Sequence, residues 1–466
     1  MTAALAPHGS GAPERGGSSS GAPKRRPWGR ALLWLSLLGP LFFLSYGYAN
    51  SVAAARTDVP HIVFAWEHAI PFWAWTIVPY WSIDLFYGIS LFVCRDRREL
   101  DNQALRLLTA QIIAVGCFLL LPLRYTFQRP DSDGLFGWLF DVLLGFDKPF
   151  NQAPSLHIVL LIVLWVRFAH HLGGPWRWLL HLWFALIGVS VLTTFQHHFI
   201  DIPTGLLAGW LCVWLWPERV AAPWRGAALA RDPQRWKLAA VYCAGAAVPA
   251  FAAWSLGGAA WWLLWPAWSL AMVASNYAVF GAAGFQKRDD GRLSLAARWL
   301  YAPYLLGAWL NSRWWTRRAP QPVAVADGVW LGRVPGAGQR GEFAALVDCS
   351  AELPLPVWRE GDAVRPMLDL VAPTPAQLRE VAQDIQRVRE RGKTLVCCAL
   401  GYSRSAAAIA AWLLLSGRAA NVDEAVAILR RARPAIVLGA AHRRALQVML
   451  GGADAAAAGL LRGQTV

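Results

Sequence analysis

Charged residues are scarce in this chain of 466 residues. Asp, Glu, Lys and Arg together make up 16% of it, whereas hydrophobic residues make up 56%. A soluble globular protein averages about a quarter charged residues, so the deficit excludes a chain built only of ordinary soluble domains and indicates a membrane protein. The chain also contains 28 Trp, a residue that is enriched where membrane proteins meet the bilayer interface.

Cysteine is also scarce, and the seven cysteines have neither the paired spacing of a zinc site nor the regular spacing of a disulfide framework. Four of them fall in or at the edge of apolar segments, where a small buried thiol is the expected role. We therefore expect no metal ion, no cofactor and no disulfide. These four are Cys94, Cys117, Cys212 and Cys243.

Acidic residues are outnumbered by basic ones, with 29 Asp and Glu against 44 Lys and Arg, which gives a net charge of +15. The basic residues lie in short stretches between apolar runs, as in the cytoplasmic loops of membrane proteins. This placement predicts a membrane as partner and no nucleic acid. Residues 1–28 are rich in Gly, Ser and Pro and carry basic residues, so we expect a disordered basic tail in the cytoplasm.

Eight apolar segments approach the length of about 20 residues that a spanning helix needs. Basic residues cluster after the second, fourth, sixth and eighth of them, which predicts a polytopic α-helical membrane domain with both ends of the chain in the cytoplasm. The segments lie near residues 29–49, 73–94, 104–123, 155–172, 176–195, 200–216, 237–256 and 259–283.

The composition changes after the last of these segments. Arg298, Asn311 and Arg313 interrupt an apolar stretch and favour an interfacial amphipathic helix over a ninth span. Beyond it, short apolar runs alternate with helical patterns at 375–391, 404–416, 422–432 and 438–450, as in a small α/β domain. The predicted divisions are the tail at 1–28, the membrane domain at 29–290, the linker at 291–319, the α/β domain at 320–450 and a flexible tail at 451–466.

Ionisable residues stand at helix ends on the predicted outer side, where they are costly and mark candidate sites. Asp201 lies four residues after His197, so its carboxylate can hold that imidazole in one tautomer and make it a nucleophile. His157, at the start of another helix, can protonate a leaving alkoxide. His198 is an alternative to His197. Candidate phosphate-binding residues on the same side are Arg124, Arg129 and Lys148.

A Pro-Ser-x-His motif that ends at His157, followed by a His-x-x-x-Asp motif from His197 to Asp201, resembles the type 2 phosphatidic acid phosphatase (PAP2) superfamily. It is more similar still to the inositol-phosphorylceramide and sphingomyelin synthase branch. The resemblance covers residues 60–216 and implies a six-helix core, a phosphohistidine at His197, Asp201 as its orienting partner and His157 as the acid. Val191 stands where the family normally has Arg, which favours the synthase branch.

Residues 394–405 carry the strongest chemical signal in the chain. An apolar strand leads into a short loop and then into an Ala-rich helix, an arrangement that directs backbone N–H groups at an anion. The same field stabilises the thiolate of Cys398, which is a nucleophile. Gly401 lies in the loop, Arg404 can bind two phosphate oxygens, and Ser405 can hydrogen-bond the thiolate when it becomes the leaving group.

Asp369 lies 29 residues before Cys398, at the end of a predicted strand, and is the candidate general acid. A Cys-x5-Arg-Ser motif with such a distant Asp resembles the dual-specificity branch of the protein tyrosine phosphatases, over residues 322–450. The resemblance implies a phosphocysteine intermediate. Cys397 stands where the family usually has His, which predicts a second thiol beside Cys398 and sensitivity to oxidation.

These features together predict a membrane-bound phosphatase that hydrolyses phosphomonoesters of phospholipid metabolism. The order of the two modules resembles bacterial inner-membrane fusions, which implies a cytoplasmic cysteine site and a periplasmic histidine site; a thiol that must stay reduced also favours the cytoplasm. Three alternatives remain open. The membrane site could transfer a phosphoryl headgroup between lipids, the cysteine domain could act on phosphoproteins, or the two parts could be a scaffold and a phosphate sensor.

Overall fold

The computed structural model describes residues 26–145 and 147–462, with side chains described as far as residue 451. The predicted basic tail at 1–28 lies almost entirely outside the described residues. A helical N-terminal region is followed by a small α/β domain whose first strand begins at Val323. This is the order of modules that the composition predicts.

Helices that are apolar over most of their length make up the N-terminal region, and some of them begin at a capping side chain. The side chains of Asp96, Ser155 and Asp232 accept hydrogen bonds from backbone N–H groups in the first turns of three of these helices, which satisfies donors that a helix start leaves free. The helices are α1 (Trp28–Ala54), α2 (Ile77–Phe92), α3 (Arg97–Leu120), α4 (Gly134–Leu144), α5 (Leu156–His171), α6 (Gly174–Thr193), α7 (Asp201–Leu215), α8 (Pro233–Leu256), α9 (Leu264–Ser275), α10 (Leu295–Leu300) and α11 (Ala302–Trp315).

Among the described residues, five helical segments are long and apolar enough to cross a membrane. Each of the eight predicted segments overlaps a helix, but α2, α5 and α7 have only 15 or 16 residues. At 1.5 Å per residue they span about 24 Å, less than the hydrocarbon core of about 30 Å. The five segments are Trp28–Ala54, Arg97–Leu120, Gly174–Thr193, Pro233–Leu256 and Gly258–Phe285.

Helix α5 occupies the centre of the bundle and packs against α2, α3, α6 and α7. Its contact with α7 is close because two glycines of α7 face it. A Cβ atom on Gly205 would lie 2.7 Å from the Cβ of Ile158, and one on Gly209 would lie 2.8 Å from the Cβ of Ile162. Small residues at this spacing let two membrane helices approach backbone to backbone. The glycines therefore bring the first turns of α5 and α7 together.

A cluster of ionic groups joins α3, α5 and the end of α7 at the opposite end of this helix pair. Arg167 is fully buried and pairs with Glu99 and, at 2.7 Å, with Glu218. Arg106 pairs with Glu218 at 2.8 Å and donates to the main-chain oxygen of Trp216. Each buried guanidinium thus has a carboxylate partner, as burial of a charge requires.

The C-terminal domain is built on a five-stranded sheet with the strand order β1-β2-β5-β3-β4, in which only β1 is antiparallel to its neighbour. Helices α13 and α14 cover one face with a core of aliphatic residues, and α11 adds to the other face. The elements are β1 (Val323–Ala326), β2 (Val329–Arg333), α12 (Ala337–Arg340), β3 (Ala345–Ser350), β4 (Ala363–Met367), α13 (Pro375–Arg389), β5 (Thr394–Cys398), α14 (Arg404–Leu415), α15 (Val422–Ala432) and α16 (Ala440–Arg462).

Two predicted boundary segments are helical in the structure. The linker at 291–319 consists of α10 and α11, and α11, with 14 residues, is not among the five candidate spans. The tail that was expected to be flexible from residue 451 continues α16 as far as Arg462, because its run of Ala has a high helix propensity. Large apolar side chains of α11 are exposed, namely Leu306, Trp309, Leu310, Trp314 and Trp315.

The two parts of the chain are joined by a buried ion pair. Lys287, just after the last candidate span, pairs with Asp348 of β3, and both side chains are fully buried. The Lys287 ammonium also donates to the main-chain oxygens of Ser350 and Leu353, at 2.7 and 2.6 Å. Nearby, the backbone N–H of Leu355 donates to the Gly291 oxygen at 2.9 Å.

Replacing Lys287 should weaken the attachment of the α/β domain. In Lys287→Met the carboxylate of Asp348 becomes an uncompensated buried charge, which costs about 3–5 kcal/mol and should lower the Tm of the detergent-solubilised protein by about 10 °C. The double variant Lys287→Met/Asp348→Asn removes that charge and should recover most of the loss. A Tm that is unchanged in Lys287→Met would contradict a stabilising role for this pair.

Candidate active site

The loop between β5 and α14, residues 398–404, surrounds the sulfur of Cys398; we call it the phosphate loop. The Cys398 Sγ is buried and accepts hydrogen bonds from the backbone N–H of Gly401 and from the hydroxyl of Ser405, both at 3.3 Å. Arg404 begins α14. Two donors and a helix N-terminus are therefore directed at the sulfur, which is what a stable thiolate requires.

Gly401 is required by the path of the phosphate loop. Its φ is +77°, in the region that favours glycine, and a Cβ atom there would lie 2.5 Å from the main-chain carbon of Gly332. The loop thus rests directly on the end of β2. The path of the backbone therefore requires a glycine at position 401, and the N–H of this glycine also donates to Cys398.

Arg404 is held from behind by a carboxylate that our sequence interpretation did not include. Its two terminal nitrogens donate to Glu352, each at 2.7 Å, and one of them also donates to the Met367 oxygen at 2.9 Å. Burial by itself would raise the pKa of the Glu352 carboxyl, but the charge and hydrogen bonds of Arg404, with smaller contributions from a backbone hydrogen bond and from Lys287, together lower it. The pair is therefore ionised, and it orients the guanidinium.

Glu352 thus occupies one edge of the Arg404 guanidinium, so a phosphate would have to bind at another edge. The Nε of Arg404 is buried without a hydrogen-bond partner among the described residues, and one terminal nitrogen lies 3.1 Å from Asp369. The edge formed by Nε and that nitrogen is the one left to bind an anion. Glu352 was discoverable in principle, because it follows β3, the parallel neighbour of β5, at the same edge of the sheet.

Asp369 lies in the segment between β4 and α13, residues 368–374, which we call the acid loop. Its side chain is 26% exposed and faces Arg404. Burial raises the pKa of the Asp369 carboxyl, the Arg404 charge opposes this, and the Glu352 charge adds to it, so that the pKa is raised overall. A raised pKa favours the protonated form that a general acid must have.

Cys397, the thiol next to Cys398 in the sequence, packs on the opposite face of the sheet from Cys398, whereas Cys349 packs on the same face. Successive residues of a strand face opposite sides of the sheet, and Cys397 packs in the core on the other face, with Leu346 and Leu395. Cys349 of β3 shares the core of Cys398. Burial, with a contribution from the Cys398 charge, raises the pKa of the Cys349 thiol.

The candidate histidine site lies where α5 and α7 begin. The Nδ1 of His197 lies 3.0 Å from a carboxylate oxygen of Asp201, and both side chains are buried. The His157 ring is 6.2 Å from the His197 ring and stacks on Tyr80 at 3.9 Å. The Nε2 of His157 and the hydroxyl of Tyr80 are buried without partners among the described residues.

His198, the alternative to His197, is occupied by structural contacts. Its Nδ1 lies 3.2 Å from Glu67, and its Nε2 accepts from the backbone N–H of Thr126 at 3.1 Å. Both ring nitrogens are therefore used to hold neighbouring segments together. Glu67 was absent from the sequence interpretation because it comes from a short helical turn distant in the chain.

The three basic residues predicted to bind phosphate at this site lie at its rim. Arg124 and Lys148 are exposed, on segments that run side by side through a hydrogen bond from Tyr125 to Pro149. The Arg129 guanidinium lies over the Phe140 ring, 4.3 Å from its centre. Within the described residues, no hydrogen bond or ion pair joins the three side chains to His157 or His197.

A cavity of about 340 Å³ reaches His157 from between α1 and α2. Apolar residues of both helices line most of it, and its polar lining residues include Tyr46, Tyr80, Asp84, Asp147 and His157. The hydroxyl of Tyr46 donates to Asp147 at 2.8 Å. The cavity can therefore receive an apolar chain whose polar end meets the histidines.

One group of side chains in the described part of the chain has ligand atoms close enough for a metal ion, namely Glu99, His170 and His171. Arg167 already pairs with Glu99 there, and its positive charge opposes the binding of a cation. The group therefore fits the ionic cluster between α3 and α5 better than a metal centre. Neither candidate active site contains such a group.

Gly401→Ala should abolish the function of the phosphate loop without unfolding the domain. The added Cβ must displace the loop from Gly332, and a misplacement of about 1 Å costs about 10²-fold in rate. The measurement is kcat for 4-nitrophenyl phosphate, with circular dichroism to check folding. Gly417→Ala is the control, because Gly417 also has a positive φ, +71°, but open space around it; an equal loss in both variants would contradict the argument.

Comparisons with known proteins agree with this geometry. Residues 339–449 match the dual specificity phosphatase catalytic domain. A comparison of the chain with curated proteins found no match.

Solved structures of phosphatases resemble the same part of the chain. Tk-PTP in its active form is 29% identical, with a TM-score of 0.26, over 28% of this chain and 97% of that chain. Human DUSP28 is 24% identical, with a TM-score of 0.27, over 29% and 96%. A mouse dual specificity phosphatase complexed with zinc tungstate is 27% identical, with a TM-score of 0.26, over 30% and 91%. The C-terminal domain is thus a dual-specificity phosphatase domain, and the protein is a phosphoric monoester hydrolase.

Proposed function

We propose that the C-terminal domain hydrolyses phosphomonoesters through a phosphocysteine at Cys398. The thiolate attacks phosphorus, Arg404 and the N–H groups of the phosphate loop hold the equatorial oxygens, and Asp369 gives its proton to the leaving alkoxide. Water then attacks the phosphocysteine, Asp369 accepts a proton from it, and Ser405 donates to the departing thiolate. The observation that carries the proposal is the pair of hydrogen bonds, both 3.3 Å, that the Cys398 sulfur accepts.

The substrates that we propose for this site are lipid phosphates. The acid loop lies against the last membrane helices, since Leu368 and Val371 pack into a cluster that contains Tyr277 and Phe285. Leu370, next to the candidate acid, is 58% exposed and offers an apolar surface at the site. A substrate that remains in the bilayer would therefore present its phosphate close to Cys398. Phosphoproteins are the alternative substrates.

For the membrane domain we propose a second phosphatase site, with His197 as nucleophile, Asp201 as its orienting partner and His157 as acid. The cavity that reaches His157 from α1 and α2 supports a lipid substrate here too. Arg124, Arg129 and Lys148, at the rim, would attract its negative charge. This site and the phosphate loop would work on opposite faces of a bacterial inner membrane, with the thiol on the reducing, cytoplasmic side.

Transfer of a phosphoryl headgroup is the second candidate for the histidine site. Val191 is buried, and its main-chain oxygen accepts from the backbone N–H of His197 at 3.1 Å. Val191 stands where the hydrolases of the PAP2 superfamily have a phosphate-binding Arg. This position is thus apolar here, and it lies behind His197. A site with less positive charge suits a lipid alcohol as acceptor better than it suits free phosphate as product.

The first test concerns the acid. Since Asp369 must be protonated to give its proton to the leaving alkoxide, kcat for a substrate whose turnover is limited by that step should fall as the pH rises through the raised pKa of Asp369. Asp369→Asn should lower kcat for phenyl phosphate about 10²-fold and remove that basic limb of the pH profile. The control is Asp423→Asn, which changes a carboxylate that is 85% exposed on the same domain. A variant that keeps the basic limb would exclude Asp369 as the acid.

The second test separates the two sites with radiolabelled lipid phosphates in proteoliposomes. Cys398→Ser should abolish turnover by the cysteine site, and the turnover that remains should fall at least 10²-fold when His197→Ala is added. Release of free phosphate indicates a hydrolase, and a new labelled phospholipid indicates a transferase. His61→Ala, at an exposed histidine, is the control. Turnover that persists in the double variant would exclude His197 as nucleophile.

A further inference from the structure

The acid loop is bound by the membrane domain through its backbone. The hydroxyl of Tyr277 donates to the main-chain oxygen of Asp369 at 3.0 Å, and the side-chain amide of Gln234 reaches the oxygen of Leu370 at 3.5 Å. The first is a hydrogen bond of ordinary length, and the second is at the limit of one. The hydrogen bond from Tyr277 is therefore the stronger of the two, and it restrains the backbone of Asp369 itself.

Tyr277 is itself held rigidly. Its side chain is 1% exposed and stacks on Tyr242 with ring centres 5.4 Å apart. The Arg235 guanidinium, from the first turn of α8, donates to the main-chain oxygen of Tyr277 at 2.8 Å. A donor that is fixed by a stacked ring and by an ionic side chain can fix the position of its acceptor in turn.

Besides the ion pair between Asp369 and Arg404, much of what holds the acid loop comes from the membrane domain. Met367 ends β4 and Pro375 begins α13, and Leu370 between them has a φ of +57°, a conformation that is unfavourable for a leucine. The apolar side chains of Leu368 and Val371 point into the cluster around Tyr277 rather than into the core of their own domain. The conformation of the loop thus depends on groups supplied by the membrane domain.

We propose that Tyr277 is a positioning residue for the phosphatase: by holding the backbone of Asp369, it aims the carboxyl at the leaving group, so that proton transfer in the soluble domain depends on the membrane domain. This inference rests on the proposed role of Asp369. Tyr277 makes no contact with Cys398 or Arg404. It should therefore affect proton transfer and leave phosphate binding unchanged.

The test is Tyr277→Phe in the full-length protein, which keeps the stacked ring and removes only the donor. Phenyl phosphate has a leaving group with a pKa of about 10 and needs the acid, whereas 4-nitrophenyl phosphate has a far less basic leaving group. We expect kcat to fall about tenfold for phenyl phosphate and less than twofold for 4-nitrophenyl phosphate, with KM unchanged. Equal effects on both substrates, or none on either, would overturn the proposal.

Two further variants distinguish a specific effect of Tyr277 from general loosening of the structure and from a failure of Asp369 as the acid. Tyr301→Phe is the matched control, because the Tyr301 hydroxyl is also buried but, among the residues that the structure describes, forms hydrogen bonds only with Asn276 and Gly284. A similar substrate-dependent loss there would mean general loosening and would overturn the proposal. Asp369→Asn should remove the sensitivity to Tyr277→Phe, because residues that act through one another are non-additive. If Asp369→Asn itself has no effect on phenyl phosphate, the proposed acid fails, and this inference fails with it.

Discussion

A guanidinium that is buried beside a nucleophilic sulfur needs a carboxylate partner, and the pair between Arg404 and Glu352 meets this requirement. Removal of one member of a buried ion pair is strongly destabilising, so Arg404 depends on Glu352 for its place. Through the Met367 oxygen the same guanidinium also reaches the end of β4. The ends of β3, β4 and β5 are thereby tied to a single planar group, and the anion site is assembled at the point where these strands converge.

The membrane domain obeys a different constraint, the close approach of α5 and α7. Gly205 and Gly209 allow it, and in consequence His157 at the start of one helix lies near Asp201 at the start of the other. The other ends of these helices are joined by the cluster of Arg106, Arg167 and their carboxylates. The side chain of Trp214, near the end of α7, donates to the main-chain oxygen of Gly284, which is close in sequence to Lys287 at the contact with the phosphatase domain. The histidines and the phosphatase domain thus lie at opposite ends of the pair formed by α5 and α7.

Much of the phosphatase site could be predicted from the sequence because it is local. Cys398, Gly401, Arg404 and Ser405 belong to one strand–loop–helix unit whose spacing determines the chemistry. Glu352 and Tyr277 reach the same site from segments remote in the chain, and no spacing rule connects them to it. That Cys397 and Cys398 lie on opposite faces of the sheet follows from the predicted strand, because successive side chains of a strand alternate between its faces. The number of long apolar helices was overestimated, because a hydropathy pattern does not show where a helix starts and ends.

In the hydrogen bonds between the membrane domain and the phosphatase domain, the two domains tend to supply different kinds of group. On the membrane side several donors are side chains, those of Tyr277, Lys287, Ser312 and Arg313, although the Leu355 N–H and the Arg333 side chain donate in the other direction, to Gly291 and Thr316. On the phosphatase side most acceptors are main-chain oxygens, such as that of Ala399, which accepts from Ser312 at 2.5 Å, and that of Val334, which accepts from Arg313 at 3.1 Å. Main-chain oxygens stay in place when side chains change. At the contacts made through main-chain oxygens, the phosphatase half can therefore vary in sequence and keep its acceptors, whereas a change in the membrane half removes a donor; a chimera with another phosphatase of the same backbone would find these acceptors already present.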